Sequence, residues 1–346
     1  MHYRSISDMN QAVLHGLKMI PPDIDLVVGI PRSGLLPANL ISLALNLPLA
    51  DLEGYCQGRI LAAGKTRRKA PNPDTDGYRK VLVVDDSIST GNAMQEARDR
   101  LAAAGYPTDR FVFCAVYGLE EESALTDVVL EKVPHPRVFE WNFMHHPQLK
   151  RSCVDIDGVL CHDPLPEEND DGPLYTMFLG NARPLYMPGF HIGHLVTSRL
   201  ERYRPQTEAW LAARGIKYDK LWMLDLPTAE ERRRRGAHAG FKAQVYANVS
   251  ADLFIESEDA QAVEIARLSG KPVLSIETQT LVLPDKLLDH AARARRRAAR
   301  RKEHLSVRQP GWRSFSKEVL RQILPDDLMG RLVQWRRDRW RKARGY

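Results

Sequence analysis

Apolar positions along the chain follow two rhythms. Ile6, Met9, Val13 and Leu17 recur at helical spacing, and a continuous apolar run, DLVVGI at 25–30, follows them. A short unbroken run of this kind predicts a strand buried on both faces. The order then repeats. LLPANLISLAL (35–45) predicts a helix, VLVVDD (81–86) a buried strand, the stretch from about Asn92 to Ala104 a helix, and FVFCAVYG (111–118) and RVFEWN (137–142) further strands. Residues 56–79 are polar, basic and rich in Gly and Pro, which predicts a long loop, and HHPQLKRS at 145–152 reads as a linker. The rhythm restarts with CVDIDG (153–158), HLVTSR (194–199), KLWMLDL (220–226), DLFIES (252–257) and PVLSIE (272–277), separated by helical stretches. Strands alternating with helices predict parallel βαβ units. The expectation is therefore an α/β chain of two parallel-sheet domains, residues 1–146 and 147–284, with an α-helical tail at 285–346.

Composition refines this picture. A chain of 346 residues has room for two cores. Cys56, Cys114, Cys153 and Cys161 form no CxxC pair, so neither a disulfide framework nor a zinc site is expected, and a reducing cytoplasm is the default. The N-terminus, MHYRSISDMNQAV, lacks the basic start and apolar run of a signal peptide, and no stretch approaches the ~20 apolar residues that span a bilayer.

Charge is unevenly spread. From Lys286 to Tyr346 there are 19 Lys and Arg against 6 Asp and Glu, a net of +13, which leaves −7 on the rest of a chain whose total is +6. RARRRAARRK at 293–302 is densely cationic, and Leu328, Leu332, Trp335 and Trp340 fall on or near one helical face further on. Such a helix suits an anionic membrane surface, where each Lys or Arg contributes ~1 kcal/mol. The tail is expected to hold the protein peripherally on the inner face of the cytoplasmic membrane. Nucleic-acid binding is the lesser rival for the arginine runs, and a helix packed on its own domain is the bland alternative. The oligomeric state has no signature in the sequence.

The first concentration of chemistry is VLVVDDSISTGNA at 81–93. A strand delivers Asp85 and Asp86 to its carboxyl edge, where open α/β sheets bind ligands. The turn from Ser87 to Gly91 then opens a helix, and backbone N–H groups at such a turn cradle an anion. Ser87, Ser89 and Thr90 add hydroxyl donors. Carboxylates beside a phosphate cradle suit vicinal hydroxyls and a hydrated magnesium ion.

VLVVDDSISTG resembles the phosphoribosyl pyrophosphate (PRPP) binding signature of type I phosphoribosyltransferases, and GIPRSGLLPA at 29–38 resembles their pyrophosphate loop. The resemblance covers roughly residues 20–142. It implies that Asp85 and Asp86 hold the ribose hydroxyls, that Ser87 to Gly91 bind the 5-phosphate, and that Arg32, Ser33 and Gly34 contact pyrophosphate. Residues 56–79 fall where that family keeps its flexible catalytic loop, so Lys65, Arg67, Arg68 and Lys69 are candidates for covering the pyrophosphate. The implied reaction displaces pyrophosphate at the anomeric carbon with inversion, with Mg2+ neutralising the leaving group.

The second concentration is CVDIDGVL at 153–160. Residues i and i+2 of a strand share a face, so extended geometry would aim Asp155 and Asp157 into one site. One carboxylate could attack phosphorus while the other manages the leaving-group proton. Asp155-Ile156-Asp157-Gly158 resembles the first motif of haloacid-dehalogenase-like phosphatases, and later motifs follow in order. The resemblance implies Asp155 as nucleophile, Asp157 as general acid/base, Thr197 holding the phosphoryl group and Lys242 neutralising it. It further implies Mg2+ held by Asp155, Asp157, Glu256 and Asp259, with Glu258 as the alternative to Asp259. The last acidic motif departs from that family's usual pair of aspartates by starting with Glu256. Few residues separate the first two motifs, which implies a small cap or none. Thr176, Arg183, His191 and His194 lie there, and ordinary loop positions are the stronger reading of them.

The implied fold is thus two Rossmann-like domains, a type I phosphoribosyltransferase fold followed by a haloacid-dehalogenase-like fold. The pairing resembles the two-domain phosphoribosyltransferase–phosphatase ribofuranosyltransferases of bacterial surface-polysaccharide (O antigen) synthesis. The expected joint function is phosphoribosylation of a lipid-linked or polymeric glycan, then hydrolysis of the ribosyl 5-phosphate. The alternatives are the same chemistry on a nucleobase or small metabolite, and a PRPP-sensing regulator that binds RNA through its tail.

Overall fold

The computed structural model describes residues 1–61, 77–119, 125–169, 171–228, 230–231, 234 and 237–292. Lys65, Arg67, Arg68 and Lys69, and the tail from 293 onward, lie outside the described residues.

The first half runs β1 (His2–Arg4), α1 (Ile6–Gly16), β2 (Leu26–Gly29), α2 (Leu35–Leu45), β3 (Leu49–Asp51), α3 (Leu52–Cys56), β4 (Val81–Ser87), α4 (Asn92–Ala103), β5 (Phe111–Gly118), β6 (Val128–Lys132) and β7 (Arg137–Phe139). Strands β2, β4 and β5 are the unbroken apolar runs, and they occupy the centre of a parallel sheet of order β3-β2-β4-β5-β6. The sheet needs apolar residues on both faces because both are covered. Val84, Cys114 and Val116 pack with Met9, Val13 and Ile41 on one side, and Val83, Phe113 and Ala115 with Met94 and Leu101 on the other. The expected strand at 137–142 is shorter and does not join this sheet. Residues Arg137–Phe139 pair in parallel with β1 in a separate two-stranded sheet.

The second half runs β8 (Ser152–Val154), α5 (Pro173–Asn181), β9 (Ile192–Leu200), α6 (Arg204–Ala213), β10 (Tyr218–Leu224), α7 (Ala237–Asn248), β11 (Leu253–Glu256), α8 (Asp259–Ser269), β12 (Val273–Ser275) and β13 (Thr280–Val282). The sheet order is β10-β9-β8-β11-β12-β13, parallel except for the last pair. Strand β8 is central, so its carboxyl end opens at the middle of the sheet. The stretch 145–152 is not a free linker. Leu149 is 1% exposed and joins Phe143 and Met144 in one core with Val154, Leu195 and Trp210.

Both sheets fall within one compact unit, Met1–Asp285. The Tyr3 hydroxyl donates to Gln279 Oε1 at 2.9 Å, joining the first strand to the turn between β12 and β13. Among the described residues no helix is long and apolar enough to cross a membrane.

Candidate active sites

The first site lies where β4 ends. Asp85 and Asp86 are 7% and 5% exposed. Neighbouring strand residues point to opposite faces, and the two carboxylates accordingly part company. Asp85 lines a cavity of about 190 Å³ with Ser87, Ser89, Thr90, Gly91 and Asn92. Asp86 is not among its lining residues. Its Oδ2 accepts the Trp141 indole N–H at 2.6 Å. Asp86 N donates to Asp85 Oδ1 at 2.9 Å. Burial, then the neighbouring Asp86 charge, pushes the Asp85 carboxyl up to about 8.

Gly91 precedes the first turn of α4, so the cavity sits over that helix N-terminus, where unpaired N–H groups and the helix dipole favour an anion. Arg32, Ser33 and Gly34 lead into α2 beside it, with Arg32 exposed. Glycine is required at 34 by space. A Cβ there would lie 2.6 Å from the carbonyl oxygens of Ile30 and Val84 and 2.9 Å from Asp85 Cα. The loop at 31–34 is thereby pressed against the end of β4.

Trp141 and Arg137 were not singled out in the sequence. Trp141 stacks on Phe139 at 4.8 Å and 4° between planes, and Phe139 on Tyr117 at 5.3 Å and 16°. Buried Arg137 donates to the Val133 carbonyl at 3.0 Å and also to that of Ile88, fixing the backbone just after Ser87. An arginine and a tryptophan within the short strand-like stretch RVFEWN are the signal the sequence offers.

The second site lies at the carboxyl end of β8. The strand stops at Val154, so Asp155 and Asp157 converge through an irregular turn rather than along an extended strand. They line a cavity of about 240 Å³ together with Asp163, Ser198, Lys242 and Glu258. Gly158 makes the exit at φ +72°, and a Cβ there would meet Ser257 Cβ at 2.4 Å. Lys242, from α7, is 2% exposed. Its Nζ donates to Asp155 Oδ2 at 2.6 Å, Glu256 Oε2 at 2.8 Å and Gln261 Oε1 at 3.2 Å. Burial alone would lower the lysine, but the charges of Asp155 and Glu256 hold it protonated above its ordinary value. Burial pushes Asp155 up to about 8 despite Lys242.

Asp157 is paired differently. Arg199, with a fully buried side chain, donates from Nη2 to Asp157 Oδ1 at 2.6 Å and from Nε to Oδ2 at 3.0 Å. Burial opposes ionisation there, but the guanidinium holds the Asp157 carboxyl below its usual range. In the sequence Arg199 stands only as the last residue of the predicted strand HLVTSR. Its place two residues beyond Thr197 on β9, hence on the same face, was the signal.

Thr197 is fully buried, and its Oγ1 accepts from Arg199 N at 3.2 Å, whereas the adjacent Ser198 lines the cavity. Glu256 holds the turn after β11, accepting on Oε1 from the backbone N–H of Ser257 at 3.0 Å and of Glu258 at 3.3 Å. Glu258 lines the cavity, while Asp259 Oδ1 accepts from the Thr278 hydroxyl at 2.8 Å. Partial burial, then the charges of Asp157 and Glu258, pushes Asp163 up. Of the residues between the first two motifs, Arg183 lines an adjoining cavity. Thr176 bonds the Gly172 carbonyl, His191 pairs with Asp219 at 2.7 Å, and His194 accepts from the Trp222 indole at 3.4 Å.

Among the described residues no three of His, Cys, Asp or Glu are grouped so as to hold a metal by themselves. Mg2+ asks less of a protein, since it keeps several waters and takes one or two carboxylates. Asp155 and Glu258 face the second cavity and meet that requirement, and Asp85 does so in the first.

Residues 17–118 match the family model of the phosphoribosyl transferase domain. The chain is 32% identical over 122 residues to a xanthine-guanine phosphoribosyltransferase of Chromohalobacter salexigens, covering 34% of this chain and 66% of the relative. It is 32% identical over 117 residues to an orotate phosphoribosyltransferase of a Nocardioides species, covering 34% of this chain and 62% of the relative. The chain therefore spans slightly under two thirds of the curated relatives it matches. Among solved structures it is similar to a purine phosphoribosyltransferase from Pyrococcus horikoshii, at TM-score 0.29 and 18% identity over 40% of this chain and 92% of that one. A xanthine-guanine-hypoxanthine phosphoribosyltransferase of Helicobacter pylori aligns at TM-score 0.31 and 18% identity, over 41% and 91%.

Proposed function

We propose, for a chain whose residues 17–118 are a type I phosphoribosyltransferase domain, that it transfers a 5-phosphoribosyl group from PRPP to an acceptor and then removes the 5-phosphate. The observation that carries the second step is the buried set of Asp155, Lys242 and Glu256 at the centre of a second parallel sheet in the same compact unit. A charged group this buried is costly unless it is used or fully paired.

In the first step Asp85 takes the ribose hydroxyls, the N–H groups and hydroxyls from Ser87 to Gly91 take the 5-phosphate, and the loop of Arg32, Ser33 and Gly34 takes the pyrophosphate. Positioning and charge stabilisation supply the rate. In the second step Asp155 attacks the phosphorus, and Lys242 neutralises charge on nucleophile and phosphoryl group. Mg2+ in each cavity, held by Asp85 in one and by Asp155 with Glu258 in the other, would neutralise phosphate charge. The acceptor is a lipid-linked glycan, a reading that rests on the basic tail and on the logic of removing the phosphate just transferred. The tail then keeps the enzyme at the inner face of the cytoplasmic membrane. A nucleobase acceptor is the second reading, favoured by the two relatives named for xanthine-guanine and orotate transfer.

Incubation with ribose-labelled PRPP separates the two. The label should enter a lipid-linked glycan and not hypoxanthine, guanine or orotate. Label appearing in a nucleotide instead would overturn the glycan reading. For the cradle, Gly34→Ala should lower pyrophosphate release from PRPP on the order of 10²-fold, because the added methyl drives the 31–34 loop off Asp85. Circular dichroism should report a retained fold, and unaltered turnover would show that the loop does not hold pyrophosphate.

A further inference from the structure

The family match ends at residue 118, yet the support of the first site runs beyond it. Strand β7 (Arg137–Phe139) supplies that support. Successive strand residues face opposite ways. Val138 packs with Leu149 and Val154 in the core of the second sheet, while Phe139 packs with Val84 and Val116 in the core of the first. Arg137 shares the face of Phe139 and is 3% exposed. The segment is gripped from both sides, as a support that must hold a site to fractions of an ångström needs to be.

Two parts of the first site lean on it. The Ile88 carbonyl accepts from Arg137, and the Ile88 N–H donates to the Tyr117 carbonyl at 2.8 Å. The Ile88 side chain is buried in one core with Met94 and Ala115. Ile88 stands between Ser87 and Ser89, which both line the cavity. In a planar trans peptide the C=O and the following N–H point opposite ways. By drawing the Ile88 carbonyl to its own side, Arg137 points the Ser89 N–H the other way, and a cation on the carbonyl polarises that N–H as a donor. Trp141 acts on the carboxylates. Its indole N–H donates to Asp86 Oδ2 at 2.6 Å, Asp86 N donates to Asp85 Oδ1 at 2.9 Å, and the stack on Phe139 fixes the indole plane.

We propose that Arg137 and Trp141 are positioning residues for the phosphoribosyl group. Arg137 aims the Ser89 N–H at the 5-phosphate, and Trp141 sets the Asp86–Asp85 pair for the ribose hydroxyls. The inference rests on the transfer reading above. Both act away from the bond that breaks. Their loss therefore removes binding common to ground and transition states, which raises KM and spares kcat.

Three ligands test this on the full chain, with Mg2+ present: PRPP, ribose 5-phosphate and inorganic pyrophosphate. Trp141→Phe keeps a ring to stack on Phe139 and removes the N–H. It should raise KM for PRPP, and the Kd of ribose 5-phosphate by calorimetry, about tenfold. The kcat for pyrophosphate release should stay within about threefold. Arg137→Lys, which can reach one carbonyl where arginine reaches two, should behave in the same way. Pyrophosphate, which needs only the loop at 31–34, should bind both variants within about twofold of wild type. An equal weakening of pyrophosphate would mean a general loosening and would overturn the positioning roles. Unchanged KM for PRPP in both variants would overturn them as well, while leaving the transfer reading intact. A wild-type chain that neither binds PRPP nor releases pyrophosphate would overturn that reading, and this proposal with it.

Discussion

Asp155→Asn is expected to stop phosphate release while pyrophosphate release from PRPP continues, so that a product still carrying its 5-phosphate accumulates. The asparagine is isosteric but cannot form a covalent phosphoryl intermediate. Loss of a nucleophile typically costs on the order of 10³-fold or more in turnover. The fold should survive, because Lys242 keeps its bonds to Glu256 at 2.8 Å and to Gln261 at 3.2 Å. Mass spectrometry of the product distinguishes phosphorylated from free ribosyl termini, and separate assays count pyrophosphate and orthophosphate. Fully dephosphorylated product from the variant would remove Asp155 from the mechanism. Loss of both activities together would mean that the substitution had disturbed the unit as a whole rather than one site.

Asp85→Asn should abolish transfer and yet stabilise the protein. The Asp85 carboxyl is pushed from 3.8 up to about 8 by burial and by Asp86. A carboxyl that binds its proton more tightly in the folded chain gives a native state with more protons than the unfolded one between those values. Stability then falls as pH rises through that window. At neutral pH the wild-type chain carries a penalty of a few kcal/mol at most, which the neutral amide does not. The melting temperatures of variant and wild type should be nearly equal near pH 4 and diverge towards pH 8, the variant melting higher. The variant should release no measurable pyrophosphate from PRPP. A melting difference that does not change with pH would show that Asp85 is not the group under strain.

What could be read in the sequence follows from which interactions are local. Strands β2, β4 and β5 are covered on both faces, so their burial is written as unbroken apolar runs. Strands β3, β6 and β13 are short edge strands with polar or half-buried residues, and they carry no such signature. Arg137–Phe139 reads as a strand and is one, but its partner is 135 residues upstream at His2–Arg4, which no local pattern encodes. The same limit applies within the sites. Periodicity places Asp85 and Asp155 at strand ends. Only the order of motifs suggested Lys242, which lies 87 residues from the Asp155 it bonds. The ties of Trp141 to Asp86 and of Arg199 to Asp157 span 55 and 42 residues and were not legible. Asp163 sits in a stretch rich in Pro, Asp and Glu, where composition says loop and nothing more.

The pairing of β1 with β7 has a consequence for biosynthesis. Residues His2–Arg4 have no strand partner until Arg137–Phe139 have been synthesised, and the Tyr3 hydroxyl must wait for Gln279. At usual elongation rates the first wait is on the order of ten seconds. Strand β1 is thus made well before the strand that completes its sheet.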